Sequence, residues 1–234
     1  MVMVVARRTP PDRLEKLIEV AAAVFVENGF QRTQMDEVAV RLGVSKGTIY
    51  GSVDSKESLL AAVLTYADTP HALPDIGPFE PTGLGEVSAT LSARLSQAFA
   101  DLELTAKVTD PVATSGATIG VEIEMVAVDL YEMMAAHRTP VMVLDRCAAE
   151  VPELAGSWYE SGRYALVDLW RGYLDQRSAH IGTAVDRDVL ARTIVELITL
   201  WAVKMPWDPA PRAYPAAMAA SCATMIRDLV TGAK

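Results

Sequence analysis

The sequence is poor in the residues on which disulfide frameworks and metal sites depend. It contains two cysteines, Cys147 and Cys222, and three histidines in 234 residues. Two cysteines do not provide a disulfide framework, so we expect a reducing, cytoplasmic setting. The histidines, His71, His137 and His180, are scattered, and none belongs to a spacing of His, Cys and carboxylates that holds a metal. We therefore predict no metal and no other cofactor.

Long apolar runs and catalytic motifs are also missing. No run approaches the ~18 residues that a membrane-spanning helix needs, so we expect no membrane association. The apolar residues 1–6 precede Arg7 and Arg8, which reverses the order found in a signal peptide. No glycine-rich phosphate loop and no nucleophile elbow is present. These absences disfavour a membrane protein, a secreted protein and an enzyme.

Positive charge is in the minority, with 21 Lys and Arg against 30 Asp and Glu and a net charge of −9. Residues 1–66 contain eight charges of each sign, whereas residues 67–234 contain 13 basic and 22 acidic residues. A nucleic-acid-binding surface is expected to be basic. The neutral N-terminal part is therefore the better candidate for such a surface, and the acidic remainder disfavours non-specific DNA contact. Basic residues expected on a DNA-facing surface are Arg7, Arg8, Lys46 and Lys56.

What the sequence does contain is helical periodicity. Residues 12–28 place apolar side chains at helical spacing, and Gly29 is the expected stop. The same reasoning predicts further helices at 55–66, 84–102, 117–137, 139–149, 152–180, 186–205 and 212–231. No stretch alternates at period two for long enough to be a convincing strand. The sequence therefore predicts an all-α protein.

Two stretches are predicted to be loops. Residues 69–83 contain four prolines, and residues 103–116 close on Thr114, Ser115 and Gly116. The proline-rich loop marks the expected domain boundary. We predict one domain at residues 1–66 and a second at residues 67–234.

Residues 33–50 carry the most specific pattern in the chain, two short helices separated by a glycine turn. Thr33 is predicted to cap the first helix, and Asp36 three residues later completes a box-like start. Gly43 follows the first helix, where a left-handed residue ends a helix cheaply. Ser45 caps the second helix, in which Ile49 is the strongly apolar side chain. This pattern predicts a helix-turn-helix whose second helix enters a DNA major groove.

Together with its flanks, this segment resembles the DNA-binding domain of TetR-family transcriptional regulators. The resemblance covers about fifty residues, with matching pieces at residues 21–30, 42–50 and 55–57. It implies a three-helix N-terminal helix-turn-helix domain and a larger C-terminal helical domain for ligand binding and dimerisation. One departure follows Tyr50, where members of the family usually carry two bulky residues and a phenylalanine. This chain has Gly51, Ser52 and Val53 instead, of which Val53 still suits the apolar position.

The helix-turn-helix reading and the resemblance together indicate which residues contact DNA. The first turn of the second helix carries Thr48, suited to a base edge, and Tyr50 is suited to a phosphate. Lys56 is expected to be a second phosphate anchor, as the matching lysine is in the family. The predicted DNA-binding residues are Thr33, Gln34, Ser45, Lys46, Gly47, Thr48, Tyr50 and Lys56.

One such DNA-binding head makes too few contacts for tight binding, so we expect a homodimer on a palindromic operator. As in the family, the last two helices are the dimer candidates, with Leu190, Ile194, Leu197, Trp201, Ala219, Ala223 and Ile226. The resemblance also implies a small-molecule effector bound in the second domain. Methionine and aromatic residues suited to a hydrophobic effector are Met125, Tyr131, Met134, His137, Trp158, Trp170 and Tyr173. Ordinary core packing is the alternative for each residue of both sets.

The function predicted from these features is a DNA-binding transcriptional regulator. Repression relieved by a small hydrophobic effector is the family default, and activation stays open. Coupling between the domains is expected to run through helix 55–66. Three other interpretations stay open: an enzyme, a thiol sensor using Cys147 or Cys222, and a family member whose head no longer binds DNA.

Overall fold

Helices make up the regular structure of the chain. The computed structural model describes residues 11–69, 72–74, 78–79, 81–110, 119–208 and 217–232. Within these ranges there are twelve α-helices and no strand, as the sequence predicts. The helices are α1 (Pro11–Arg32), α2 (Met35–Leu42), α3 (Lys46–Tyr50), α4 (Lys56–Tyr66), α5 (Leu84–Ala100), α6 (Glu103–Thr109), α7 (Ile119–Ala136), α8 (Arg138–Cys147), α9 (Pro152–Trp158), α10 (Ala165–Gln176), α11 (Arg187–Thr199) and α12 (Met218–Thr231).

Shorter turns interrupt two of the predicted long helices. π-helical turns at Tyr159–Tyr164 and Leu200–Lys204 follow α9 and α11, and 3₁₀ turns lie at Ser178–His180 and Met205–Trp207. The segment predicted as one helix over 152–180 is therefore built from four consecutive pieces. None of the helices in the described ranges is both long enough and apolar enough to span a bilayer.

The loop predicted at residues 103–116 is wrong in its first half, because residues 103–109 form α6. Leu104 is fully buried and supplies the apolar contact that anchors this short helix. Asp129 of α7 accepts a hydrogen bond from the Glu103 backbone amide at 2.9 Å, which satisfies one of the free amides at the helix start. Both stabilising contacts come from tertiary structure and leave no local signal. The closing residues Thr114 to Gly116 lie outside the described residues.

The chain folds into two compact units, and each is made from separate stretches of sequence. The first unit comprises residues 1–91 and 139–158, and the second comprises residues 92–138 and 159–234. This division differs from a single cut after residue 66, because α8 and α9 belong with the N-terminal helices. Within the first unit, the Arg146 guanidinium donates to the Asn28 carbonyl at 3.2 Å.

The core of the first unit forms where α1 packs against α2 and α4. Its fully buried side chains include Leu14, Leu17, Val24, Phe25, Leu59, Leu60, Val63, Val143 and Leu154. Helix α4 buries every side chain from Ser58 to Leu64, and Ser55 caps the helix by accepting from the Ser58 amide at 3.0 Å. Gly29 adopts a positive φ of 76° and ends the regular part of α1, as predicted.

In the second unit α7 packs against α12, and α10 packs against α11 and α6. Its core side chains include Ile123, Val126, Leu130, Trp170, Leu174, Leu190, Ile194, Ile198 and Ile226. A buried ion pair joins two of these helices: Arg177 Nε donates to Glu122 Oε1 at 2.5 Å. The Tyr173 hydroxyl donates to the same carboxylate at 2.8 Å. Burial and this hydrogen bond raise the pKa of Tyr173, so the phenol stays protonated.

We predict that removal of this guanidinium strongly destabilises the second unit. Arg177→Met leaves the Glu122 carboxylate buried without its cation, which costs about 3–5 kcal/mol of unfolding free energy. The matched control is Arg171→Met, because the Arg171 pair with Asp188 is half exposed and contributes about 0–1 kcal/mol. Urea unfolding of both variants measures the difference. Equal losses of unfolding free energy in the two variants would show that the buried pair stabilises the fold no more than the exposed pair.

Both cysteines are buried, which bears on the thiol-sensor interpretation. Burial raises the pKa of Cys147 to about 12 and the pKa of Cys222 to about 11. A thiol is reactive only as the thiolate and only where a reagent reaches it. Neither condition holds for these two residues in the folded chain.

We therefore expect both thiols to be unreactive in the native protein. At pH 8 an aromatic disulfide reagent should react at least about a hundredfold more slowly than with free cysteine. After denaturation both thiols should react at the free rate, and the released chromophore measures this. Fast labelling of one thiol in the folded protein would revive the sensor interpretation.

Candidate nucleic-acid interface

The turn between α2 and α3 has the geometry that the sequence predicts. Gly43 ends α2 in the left-handed conformation, with φ 71° and ψ 31°. The Val44 amide donates to the Ala39 carbonyl at 3.0 Å, and the Gly43 amide donates to Val40 at 3.1 Å. This pair of bonds is a Schellman motif, which satisfies carbonyls that the end of a helix leaves free. The predicted glycine turn is confirmed.

Helix α3 is short and is held by one apolar side chain and one cap. Ser45 Oγ accepts from the Thr48 amide at 3.2 Å, which confirms the predicted cap. Ile49 is the buried residue of the helix. Hydrogen bonds from Ser52 and Val53 to the Ile49 carbonyl continue the helical turn beyond Tyr50. The other side chains of α3 are therefore left for a partner.

Most of the residues predicted to bind DNA lie on the surface around this helix. Gln34, Ser45, Lys46, Gly47 and Tyr50 are exposed, and Thr48 is half-buried. The Thr48 hydroxyl is 2.9 Å from Ser45 Oγ. A Cβ on Gly47 would meet only Ser45 Oγ, at 3.8 Å, so the backbone there is open to close approach.

Lys46 is the one cation among these exposed α3 residues, and it forms an ion pair. Its ammonium lies 3.1 Å from Asp36 of α2. Both side chains are more than half exposed. Such a pair contributes only about 0–1 kcal/mol, so a phosphate can displace the carboxylate at small cost.

Thr33 does not occupy the place predicted for it. Gln34 is the N-cap residue of α2 and makes no side-chain cap, and Asp36 pairs with Lys46 instead of completing a box. Thr33 is buried, and its hydroxyl donates to the Gly29 carbonyl at 2.6 Å. The prediction failed because the chain bends sharply at Gly29, which turns the hydroxyl inward. The Thr33 side chain is therefore turned away from solvent.

The Lys56 ammonium, predicted to be a phosphate anchor, is bound to backbone carbonyls of the first unit. It donates to the carbonyls of Phe30 at 2.8 Å and of Gln31 and Thr33 at 3.3 Å each. It also lies 4.4 Å from the centroid of the Phe30 ring. An ammonium has three donors, and these three carbonyls use all of them.

The departure at Gly51, Ser52 and Val53 is accommodated by the fold. Val53 is buried and fills the apolar position, as predicted. Ser52 is also buried, and its carbonyl accepts from the Phe79 amide at 2.8 Å. Phe79 in turn stacks on Tyr66, with ring centroids 5.4 Å apart. A bulky residue at position 52 would have to fit within this buried turn.

An ion-pair network between α1 and α2 neutralises a further positive charge. Arg41 contacts Glu27 at 2.5 Å and Glu37 at 2.7 Å. The hydrogen bond from Arg41 lowers the pKa of Glu27, so that carboxyl stays ionised. Arg7 and Arg8, which were expected to add positive charge, lie outside the described residues. In the described part of the first unit, α3 thus presents polar groups rather than a strongly basic surface.

The residues predicted to line an effector site are mostly core residues. Trp170 and Tyr173 are fully buried and Met134 is nearly so, while Trp158 is buried in the first unit. His137 is exposed, and Tyr131 is half-buried with its hydroxyl 3.5 Å from the Trp201 carbonyl. Met125 is the member of the set that reaches an open groove.

That groove lies on the second unit between α7 and α12, with a volume of about 520 Å³. Its apolar lining includes Val121, Met125 and Val128. Val121 and Met125 are among the exposed large apolar side chains of the chain. The groove also carries acidic residues on its lining, namely Glu103, Glu124, Asp129 and Glu132.

The predicted dimer residues are also partly core residues and partly exposed ones. Leu190, Ile194, Ala223 and Ile226 are buried within the unit and cannot face a partner in this conformation. Leu197, Trp201 and Ala219 are partly exposed. The prediction chose the apolar stripe of each helix, and the fold uses most of that stripe for its own core. The exposed apolar side chains on these elements are Val189, Leu200 and Met225.

Sequence reasoning missed three residues that shape the interface. Phe79 lies in the predicted loop, and Arg146 and Glu150 lie about 100 residues after the helix-turn-helix. Arg146 and Glu150 contact the segment that joins α1 to α2. No local pattern marks such contacts, since only the return of α8 to the first unit creates them.

Comparison with known proteins supports the helix-turn-helix assignment. Residues 17–63 match the family model described as bacterial regulatory proteins of the tetR family. The HTH-type transcriptional activator FasR of Mycolicibacterium smegmatis is 45% identical over 58 residues, which cover 24% of this chain and 26% of FasR. The uncharacterized HTH-type transcriptional regulator TtgW of Pseudomonas putida is 33% identical over 78 residues, or 31% of this chain and 58% of TtgW. The chain thus aligns with about a quarter and somewhat more than half of these relatives.

Solved structures of similar fold cover nearly the whole chain. The ketosteroid transcriptional regulator KstR2 of Mycobacterium tuberculosis has a TM-score of 0.55 and 17% identity, over 94% of this chain and 95% of KstR2. A member of the TetR transcriptional regulator family from Streptomyces coelicolor has a TM-score of 0.56 and 18% identity, over 93% and 90%. These likenesses extend the agreement in fold beyond the matched N-terminal segment. Residues 17–63 thus resemble the N-terminal domain of bacterial regulatory proteins of the tetR family, and nearly the whole chain shares the fold of such regulators.

Proposed function

We propose that the protein is a ligand-responsive repressor that binds a palindromic operator as a homodimer and is released by a small hydrophobic effector. The observation that carries the DNA-binding part is α3 itself. It is a capped five-residue helix that buries Ile49 and presents Lys46, Gly47 and Tyr50 outward after a Schellman turn. A helix so presented suits the major groove.

The residues proposed to contact DNA differ in the part of the duplex that each one suits. Thr48 and Tyr50 are suited to base edges and to the sugar-phosphate backbone, and Gln34 at the start of α2 is suited to either. Lys46 supplies a phosphate contact once it leaves Asp36. With few cations on the described surface, we expect binding to depend on two heads acting together, ~34–36 Å apart on the duplex.

The dimer is proposed to form through the outer face of α11 and the π-turn that follows it. Val189, Thr193, Leu197 and Leu200 lie on one side of this element at helical spacing, and none of them is fully buried. Val189 and Leu200 are exposed apolar side chains. Such an interface uses the helix that was predicted for the dimer, but through its exposed side chains and not through the buried ones.

The effector is proposed to bind in the second unit at the open groove between α7 and α12, which Met125 of the predicted set lines. KstR2, which shares the fold, is a ketosteroid transcriptional regulator, and this agrees with a hydrophobic effector class. Release of operator DNA by members of a hydrophobic compound set tests this point.

Activation is the second candidate, because the relative FasR is an activator. The similarity to FasR covers only 58 residues of this chain, so it concerns the DNA-binding part and not the sign of regulation. A reporter gene placed behind an operator selected from random DNA distinguishes repression from activation. Repression predicts a lower signal with the protein than without it.

We predict that Thr48→Ala together with Tyr50→Ala abolishes selection of a palindromic duplex from a random DNA pool. Loss of two groove-facing side chains from each protomer should weaken specific binding at least about tenfold, since each base contact contributes roughly 1–3 kcal/mol. The measurement is sequencing of the bound duplexes, followed by titration of the winning sequence.

The matched control is Thr90→Ala together with Gln97→Ala, two exposed polar side chains of α5. This double variant should select the same sequence as the unchanged protein. If no duplex is enriched by the unchanged protein even at low salt, the head does not read DNA in the ligand-free state.

We predict that Leu200→Asp converts the dimer to a monomer and thereby weakens operator binding. A carboxylate at the centre of an apolar interface is desolvated without a partner, which costs several kcal/mol. Light scattering after gel filtration measures the mass. Met225→Asp, at a similarly exposed methionine of α12, should leave the dimer intact, and the opposite pattern would move the interface to α12.

A further inference from the structure

The corner between α1 and α2, residues Asn28 to Thr33, is held by side chains from two distant parts of the sequence. Lys56 of α4 binds three of its carbonyls. The other contacts come from Arg146 of α8 and from Glu150, which follows that helix. All of these residues belong to the first unit.

Arg146 and Glu150 form hydrogen bonds with the corner at two points. Glu150 Oε2 accepts from the Gln31 backbone amide at 2.8 Å. The Arg146 guanidinium donates to the Asn28 carbonyl at 3.2 Å and to Glu150 Oε1, also at 3.2 Å. The ion pair therefore holds one acceptor and one donor of the corner at a fixed separation. We call this pair the α8 clamp.

Gly29 shows how closely the corner fits the clamp. Its φ of 76° belongs to the region that favours glycine. A Cβ at this position would lie 2.5 Å from Glu150 Oε1 and 2.8 Å from Glu150 Oε2. Any other residue at position 29 would strain the backbone and also displace the carboxylate. The absence of a side chain at position 29 thus leaves the space that the Glu150 carboxylate occupies.

The charge state of the clamp suits its geometry. The hydrogen bond from the Gln31 amide, together with Arg146, lowers the pKa of Glu150. The carboxylate is consequently ionised at neutral pH and is a strong acceptor. Hydrogen bonds to charged groups contribute more than those between neutral groups.

The position of the clamp in the chain connects it to the second unit. The chain leaves the first unit after Leu91, within α5, and returns at Thr139, within α8. Only His137 separates the end of α7 from the start of α8. Helix α4, through which coupling was predicted, lies wholly inside the first unit. Helix α8 is therefore the element in which the chain re-enters the first unit.

We propose that Arg146 and Glu150 are positioning residues for DNA reading, and that α8 carries the coupling between the second unit and the α1–α2 corner. The proposal rests on the proposed DNA-binding function. The corner leads directly into α2, and Met35 and Val38 fix α2 in the core. With the clamp closed, α2 and α3 keep one orientation; with the clamp open, the start of α2 can shift and α3 loses its register on the duplex.

The test compares Glu150→Ala, Glu150→Gln and the control Glu153→Ala in the whole chain. Glu153 is an exposed carboxylate in the first turn of α9. Glu150→Ala should weaken binding of the selected operator roughly five- to tenfold. Glu150→Gln retains an acceptor for the Gln31 amide and should recover part of the affinity. Glu153→Ala should match the unchanged protein.

Hydrogen exchange at the corner provides a readout that does not depend on DNA. The Gln31 amide should exchange faster in Glu150→Ala than in the unchanged protein or in Glu153→Ala. Because coupling is reciprocal, operator binding should slow exchange of α8 amides in the unchanged protein and not in Glu150→Ala.

Three results would overturn the proposal. An unchanged Gln31 exchange rate in Glu150→Ala would show that the clamp does not hold the corner. Faster Gln31 exchange with operator affinity within twofold of the unchanged protein would show that the corner does not position α3. Slowing of α8 exchange by operator to the same degree in both proteins would remove α8 as the route. Failure of the proposed function looks different, because the unchanged protein then binds no duplex.

Discussion

The carbonyl groups at the end of α1 need hydrogen-bond donors, and the way this need is met organises the whole DNA-binding head. A helix leaves its last four carbonyls without partners inside the helix. Lys56 from α4 supplies an ammonium to the carbonyls of Phe30, Gln31 and Thr33, and Arg146 supplies a guanidinium to that of Asn28. The corner is thus fixed by cations, and α2 and α3 follow from it. Two positive charges of the kind that bind phosphate are thus used to hold backbone carbonyls instead.

This use of charge explains how a neutral head in an acidic chain remains compatible with DNA reading. In the described part of the first unit, Arg41 pairs with Glu27 and Glu37, and Lys46 pairs with Asp36. The pairs are exposed and weak, so they screen the surface in the free protein and can open when a phosphate approaches. Specific recognition then depends on the shape of α3 and on its outward side chains more than on long-range attraction. Few phosphate contacts release few counterions, so a shallow salt dependence with weak non-specific binding is the expected signature.

The parts of the head that sequence reasoning predicted correctly are those set by local chemistry. Gly43 and the Ser45 cap each depend on neighbours within a few residues. The wrong predictions depend on a backbone bend or on contacts with distant residues. Thr33 turns inward because Gly29 bends the chain, and α6 is helical because Leu104 and the Glu103 amide find partners elsewhere. Several dimer candidates are buried within the second unit, since periodicity identifies an apolar stripe but not whether that stripe packs within the chain or against a partner.

The return of residues 139–158 to the first unit has a consequence for how this protein can be taken apart. A fragment cut after α4 contains the entire helix-turn-helix motif and still lacks Arg146 and Glu150, which hold the end of α1. The head is thus a motif in sequence without being a module in structure. Exchanging heads between regulators of this architecture means transplanting two segments together, and their junctions fall inside α5, α8 and the turn after α9. Recombination at a single point would combine the corner of one regulator with the residues at the clamp positions of another.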